Sequence, residues 1–172
     1  QAAADATMRA HWSVVDGVLA FDGKGESLCT IADYADFELL ADWKIEKGGD
    51  SGFYLRGSPQ VQIWDAEANP AGSGGLFNSE KGPKDPLEKA DLPVGQWNAF
   101  RVLMIGERVT VYLNDKRVVD HTVLENYWER DKPVYPAGQI ELQAHGNPLF
   151  FRNLFIREIP RETASPAVTD TG

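Results

Sequence analysis

Two rows of polar side chains with period-two spacing are the groups in this sequence best suited to do chemistry. Gln139, Glu141, Gln143 and His145 alternate with apolar residues, so a strand would place all four on one face. Such side chains hydrogen-bond to hydroxyl groups, which both donate and accept, and an imidazole titrates near neutral pH. The row suits recognition of a sugar, although a plain solvated strand face fits the same pattern.

The second row combines amides with an aromatic ring. Gln60, Gln62 and Trp64 alternate with apolar residues and would share a strand face. An indole stacks on the C–H face of a sugar while amides bond its hydroxyls; alternatively, Trp64 fills a gap at a sheet edge. Asp65 ends this strand and either faces a neighbouring site or caps a turn.

Arg56 and the acidic residues leave two further alternatives open. The Arg56 guanidinium suits an anionic or carbonyl oxygen, but it equally suits a structural pair with a carboxylate. No H-x-H, H-E-x-x-H or EF-hand spacing occurs, so no cofactor is assigned. A divalent metal such as Ca²⁺ could still be held by loop carbonyls and Asp side chains.

Several function classes are excluded by pattern or charge. The sequence contains no G-x-S-x-G elbow, no P-loop and no laminarinase-type E-x-D-x-x-E ladder. The net charge of −9 opposes nucleic-acid binding. No apolar stretch reaches the roughly 18–20 residues of a membrane helix, which predicts no membrane insertion. The single cysteine, Cys29, allows no intrachain disulfide.

Short strands must position these residues, because period-two alternation dominates the chain. Asn114 and Asp115 suit a tight turn, which predicts a hairpin between 108–113 and 116–121. No helix longer than about two turns is predicted. The long Gly- and Pro-rich segment Ala66–Val94 is predicted to border a site. Strands are predicted over 27–31, 37–46, 52–56, 60–64, 98–105, 108–113, 116–121, 139–144 and 149–158.

This pattern predicts an all-β sandwich or barrel, and 172 residues suit one such domain. We divide the chain into a flexible N-terminal segment over 1–9, the β domain over 10–159 and a tail or linker over 160–172. No signal peptide is visible at the N-terminus.

The ordered motifs together resemble one known family, the 3-keto-disaccharide hydrolase domain family. The resemblance covers nearly all of residues 10–159. It implies a concanavalin A-like jelly-roll sandwich of two antiparallel sheets, with a carbohydrate site on the concave sheet. The motifs are GDSGFYLRG (49–57), PQVQIWD (59–65), GSGGL (72–76), GQWN (95–98), ENYWER (125–130) and GQIELQAHG (138–146).

The resemblance also implies a reaction. Family members act on glycosides already oxidised at C3, whose ketone acidifies the C2 proton and allows the glycosidic bond to leave by elimination. That chemistry needs a base near C2 and a group that polarises the ketone. Carried over, His145 is the predicted base, with Glu141 as the alternative, and Arg56 or a metal held partly by Asp65 polarises the ketone. The predicted substrate-binding residues are Gln60, Gln62 and Gln143 for hydroxyl groups and Trp64 or Trp128 for stacking.

One departure from the family pattern keeps a second function open. Many members carry Glu where this chain has Gln60, which removes a base or metal ligand. The sequence therefore favours an enzyme that cleaves 3-keto-glycosides over the alternative, a non-catalytic, lectin-like module of a larger protein with further domains. The resemblance also implies an extracytoplasmic location, periplasmic or secreted, after removal of a signal peptide.

Overall fold

The computed structural model describes residues 2–161, which form one short helix and eleven strands. Alternation of apolar and polar residues is clearest in β4, whose every second side chain is buried. The elements are α1 (Ala2–His11), β1 (Trp12–Val15), β2 (Val18–Phe21), β3 (Leu28–Cys29), β4 (Phe37–Ile45), β5 (Asp50–Leu55), β6 (Ser58–Trp64), β7 (Asn98–Ile105), β8 (Arg108–Leu113), β9 (Lys116–Val123), β10 (Glu141–Leu142) and β11 (Leu149–Glu158).

The strands form two antiparallel sheets that pack face to face. The larger sheet has the order β1-β2-β11-β4-β7-β8-β9 and the smaller β3-β10-β5-β6. Phe53 of the smaller sheet packs edge-on against Phe100 and Phe151 of the larger, at centroid distances of 6.1 and 5.7 Å. This apolar interior confirms the predicted all-β jelly-roll sandwich and leaves the outer face of the smaller sheet free for polar side chains.

The predicted hairpin is confirmed. Leu113 pairs with Lys116 across a two-residue turn in which Asn114 and Asp115 have φ angles of 50° and 65°. These residues tolerate the left-handed region that a type I′ turn requires. The hairpin β1–β2 was not predicted, and β3 and β10 are shorter than the predicted strands 27–31 and 139–144.

The N-terminal prediction is wrong in its secondary structure. Residues 2–11 form helix α1, where a flexible segment over 1–9 was expected. Alanine has high helix propensity, and Asp5 in the first turn with Arg9 in the last complements the helix dipole. Met8 packs against the core, which fixes the helix on the sandwich. A short Ala-rich segment gives too little apolar periodicity to reveal this contact.

The described chain ends in an ion pair. Arg161 donates from Nε and Nη2 to the two carboxylate oxygens of Asp36, each at 2.8 Å. The rest of the predicted tail, 162–172, lies outside the described residues. Within residues 2–161, no helix combines the length and apolar character needed to cross a membrane.

Candidate functional site

A polar cleft of about 320 Å³ lies on the outer face of the smaller sheet. Its volume is within the range of small-molecule sites. The side chains alternate with core residues along β5 and β6, which is why one face of the sheet is polar and the other apolar. The cleft is lined by Asp50, Tyr54, Pro59, Gln60, Gln62, Trp64, Phe77, Asn78, Tyr127, Trp128, Gln143 and His145.

Two buried amides form the floor of the cleft. Gln60 donates to the side-chain oxygen of Gln62. Gln62 in turn donates to Asp50 Oδ1 at 2.9 Å. Gly52 faces the cleft beneath them, where an added Cβ would lie 3.0 Å from Gln60 Cδ and 2.9 Å from the Val61 carbonyl oxygen. The glycine therefore gives Gln60 the space to lie across β5.

Asp50 and His145 bring an acid and a base together at one side of this floor. The distance from His145 Nδ1 to Asp50 Oδ2 is 3.8 Å, and the two side chains are 57% and 35% exposed. The carboxylate faces one ring nitrogen and leaves Nε2 for a ligand. A carboxylate beside an imidazole favours the orientation needed for general-base catalysis.

Tyr54 supplies a hydroxyl group to the same cleft. Gln143 Nε2 donates to Tyr54 Oη at 3.4 Å, so the phenolic proton remains available to a ligand. Burial, together with the negative charge of Glu141, raises the pKa of Tyr54 above its usual value. The phenol is therefore a neutral hydrogen-bond donor at ordinary pH.

Two aromatic pairs flank the polar floor. Trp64 packs edge-on against Phe77 at 5.3 Å, and Tyr127 packs edge-on against Trp128 at 4.9 Å. Trp128 is 59% exposed and is held by a hydrogen bond from Nε1 to the Gly57 carbonyl at 2.8 Å. Exposed aromatic faces held in place on both sides of amide groups suit the stacking of sugar rings.

Two side-chain oxygens of cleft residues have no hydrogen-bond partner in the described part of the chain. These buried acceptors are Asn78 Oδ1 and Gln143 Oε1. An unsatisfied buried acceptor costs about 1–3 kcal/mol, a cost that a donor from a ligand removes. Hydroxyl groups are such donors.

Glu125 and Arg130 fix the loop that carries Phe77 and Asn78. Glu125 accepts the backbone N–H groups of residues 80, 81 and 82 at 2.8–2.9 Å. Arg130 Nη1 donates to the Asn78 carbonyl at 2.8 Å, and its guanidinium lies over the Tyr127 ring at 4.8 Å. Segment 66–94 thus borders the cleft, as predicted.

The structure does not bring Arg56 to the cleft, which contradicts its predicted catalytic role. Its guanidinium is 1% exposed and donates to Asp36 and to the carbonyls of Ala35 and Tyr135. Arg56 has a φ of 53°, which ends the alternation of β5 and turns the side chain away from the cleft. Burial lowers the pKa of Arg56, and Asp36 opposes that shift.

Asp65 is likewise a structural residue and not a site ligand. Its carboxylate accepts the backbone N–H groups of Gly48 at 2.8 Å and Glu67 at 2.9 Å. These hydrogen bonds, with one from Ala68, lower the pKa of Asp65 below its usual value. The turn-capping alternative is therefore correct. Within residues 2–161, no group of three His, Cys, Asp or Glu side chains is arranged to hold a metal ion.

Glu141 shares the outer face of the sheet but does not line the cleft. It pairs in register with Tyr54 and Cys29, and Cys29 Sγ donates to Glu141 Oε2 at 3.6 Å. Burial, then the charge of Glu141, raises the pKa of the Cys29 thiol to about 11. Of the two predicted bases, His145 is the one in the cleft.

Six predicted residues line the cleft together: Gln60, Gln62, Trp64, Trp128, Gln143 and His145. The sequence analysis missed the other six, which are Asp50, Tyr54, Pro59, Phe77, Asn78 and Tyr127. Asp50, Gly52 and Tyr54 have period-two spacing, which predicts that they share one face of a strand. Knowing that β5 pairs with β6 would have placed that face beside Gln60 and Gln62. The loop residues carry no comparable signal.

Comparison with known families matches residues 1–157 to the 3-keto-alpha-glucoside-1,2-lyase-like domain. The chain belongs to this family. A relative from Bacteroides thetaiotaomicron, named 3-keto-disaccharide hydrolase, is 23% identical over 203 aligned positions, covering 85% of this chain and 69% of the relative. This confirms the family resemblance found in the sequence.

Solved structures are also similar to this member of the 3-keto-alpha-glucoside-1,2-lyase-like family. A crystal structure from Parabacteroides distasonis, assigned by inference as a glycosyl hydrolase, has a TM-score of 0.72 at 29% identity and covers 86% of this chain and 74% of that chain. The carbohydrate-binding module CBM66 from Bacillus subtilis has a TM-score of 0.55 at 16% identity, with 86% and 91% coverage, which shows the fold alone. The chain is a glycosyl hydrolase-like, carbohydrate-active domain.

Proposed function

We propose that this domain cleaves 3-keto-glycosides by elimination at C2, with His145 as the base. Family membership supports the substrate class. The observation that supports the site most directly is the Asp50–His145 pair in a cleft with unpartnered amide oxygens and two aromatic pairs. The amides and rings bind the sugar, and the pair acts on its C2 proton.

The reaction divides into an elimination and an addition. His145 Nε2 takes the C2 proton, and the electron pair moves onto the ketone oxygen as an enolate. The pair then forms the C1=C2 bond while the C1–O bond breaks, and the leaving oxygen takes a proton from the imidazolium. Addition of water returns hydroxide to C1 and a proton to C2, so the net reaction is hydrolysis.

Tyr54 takes the role that the family resemblance implied for Arg56 or for a metal held partly by Asp65. Its free phenolic proton is donated to the ketone oxygen, where negative charge develops in the enolate. The raised pKa keeps the phenol protonated, which this role requires. A donor placed where charge develops contributes about 3–4 kcal/mol in comparable sites.

Turnover of a 3-keto-disaccharide by purified protein tests the proposal. We expect release of the leaving sugar from the 3-keto-disaccharide and none from the unoxidised disaccharide, and loss of about 10²–10⁴-fold in rate in His145→Asn. His121→Asn is the matched control, because His121 is a surface histidine of β9 that does not line the cleft. Assays with Ca²⁺ and with a chelator measure any metal requirement.

Two results would contradict the enzymatic proposal. Absence of turnover at every metal and pH condition would refute it, and saturable binding of an unmodified glycan would then favour the carbohydrate-binding module. Equal activity of His145→Asn and wild type would refute the assignment of the base. The extracytoplasmic location stays a prediction, which fractionation of the source cells tests.

A further inference from the structure

A second pocket, of about 170 Å³, lies behind Trp64. Trp64 lines both this pocket and the cleft, so the two cavities are neighbours. The other walls come from β4, β7 and both ends of segment 66–94. None of the residues assigned to substrate chemistry, apart from Trp64 as a stacking residue, contributes to it.

Trp43 gives this pocket an unmet hydrogen-bonding requirement. Its side chain is 1% exposed and lines the pocket, yet Nε1 has no acceptor in the described part of the chain. By contrast, the indole N–H groups of Trp12, Trp64 and Trp128 donate to backbone carbonyls at 2.7–2.9 Å. A residue of the pocket wall thus carries a buried donor that lacks an oxygen acceptor.

Three polar residues of the lining are engaged by the loop that borders the pocket. Lys89 Nζ donates to the Ala66 carbonyl at 2.6 Å and ties the two ends of the loop together. Asp91 accepts the Ser73 N–H at 2.9 Å, and Asn98 Oδ1 accepts the Leu92 N–H at 2.8 Å. Asp91 and Asn98 are therefore engaged with the backbone of the loop and do not bind Trp43, and Glu67, the other acidic residue of the lining, is exposed.

The chemistry of the walls selects a small ligand with apolar faces and oxygen acceptors. Trp64 presents an aromatic face, and Ile45, Pro93 and Val94 add apolar surface. A sugar ring combines C–H faces that pack on such surfaces with hydroxyl oxygens that accept from an indole N–H. The volume is below the usual range for drug-sized ligands, which suits a single ring.

We propose that this pocket is a second saccharide subsite, in which one sugar ring packs on Trp64 and accepts a hydrogen bond from Trp43 Nε1. The choice of a saccharide as ligand rests on the proposed function, since the pocket shares Trp64 with the cleft in which that function places a sugar. The rest of the inference does not depend on it. The subsite adds a binding position beyond the cleft, which in the proposed function receives the 3-keto-glycoside.

The indole N–H signal of Trp43 in ¹H–¹⁵N NMR spectra reports directly on the pocket. The chain has five tryptophans, so Trp43→Phe assigns the signal by its disappearance. We expect titration with the methyl glycosides of glucose, galactose and mannose to shift this signal saturably for at least one of them. The shift should persist in His145→Asn, which disables the proposed chemistry but leaves the pocket intact.

Filling the pocket should weaken this response. Val94→Trp places a bulky side chain in the pocket, and we expect it to weaken the titration by about tenfold or more. Leu87→Trp is the control, since Leu87 lies in the same loop, is exposed and lines neither cavity. No shift with any of the three glycosides, or an unchanged titration in Val94→Trp, would overturn the subsite. Failure of the proposed function would appear separately, as absence of 3-keto-disaccharide turnover.

Discussion

Arg56→Met should destabilise the fold rather than remove catalysis. The substitution keeps the length of the side chain but deletes hydrogen bonds to Ala35 O at 2.6 Å, Asp36 Oδ1 at 2.8 Å and Tyr135 O at 3.2 Å. Breaking a buried ion pair typically costs about 3–5 kcal/mol. We expect about 3 kcal/mol, the lower end, because Arg161 and the Gly106 N–H still bind Asp36.

A loss of this size is measurable by chemical and thermal denaturation. For a domain of this length, about 3 kcal/mol corresponds to a fall in Tm of roughly 6–12 °C. Arg101→Met is the matched control: Arg101 pairs with Glu38 at 2.7 Å but is 47% exposed, so we expect a change of about 1 kcal/mol or less. Unchanged stability in Arg56→Met, with turnover per folded molecule reduced by about 100-fold or more, would refute this reasoning.

Three further substitutions test separate contacts. Asp50→Asn should reduce kcat by roughly five- to tenfold in steady-state assays and leave the Tm unchanged. The reason is that the half-exposed pair of Asp50 with His145, at 3.8 Å, is worth about 1 kcal/mol. Glu125→Gln should raise KM, because the carboxylate holds the loop beside the cleft. Burial raises the pKa of Glu125, but hydrogen bonds from three backbone N–H groups outweigh burial, so the net pKa is lowered. The ionised carboxylate therefore stabilises the folded wild type. In urea titrations, the stability difference between wild type and Glu125→Gln should shrink as the pH falls below the usual 4.5. Asp115→Gly should increase the free energy of unfolding by up to about 1 kcal/mol, because glycine adopts the φ of 65° without strain. A stability difference between Glu125→Gln and wild type that is the same at all pH values would contradict the argument for Glu125. A lower free energy of unfolding in Asp115→Gly would contradict the argument for the turn.

Most of the fold prediction came from the alternation of apolar and polar residues along the strands. In β4 it identified both the strand and its buried face, and in β6 it placed Gln60, Gln62 and Trp64 together. These assignments succeed because the information is local: a pleated strand fixes which neighbours share a face. Helix α1 was missed since its stability depends on contact with a core formed by distant strands.

The site was predictable only where it lies on regular strands. Arg56 and Asp65 each follow a strand end, where the backbone turns and alternation no longer reports the side-chain direction. Their charges suggested chemistry, but the hydrogen bonds that occupy them come from segments far away in sequence. Asp50 lies on a regular strand but was missed, because its position beside His145 depends on how β5 pairs with the segment that includes β10, and that pairing is not a local property of the sequence.

Cleavage of a 3-keto-disaccharide in D₂O, followed by ¹H NMR of the released sugar, tests the central claim most directly. Elimination followed by addition of water takes the C2 proton from solvent, so wild-type protein should produce a 3-keto sugar deuterated at C2, and His145→Asn should produce almost none. The free 3-keto sugar incubated alone corrects for background exchange. Release of a product that retains its original C2 proton would show direct displacement at C1 and would contradict the proposed reaction.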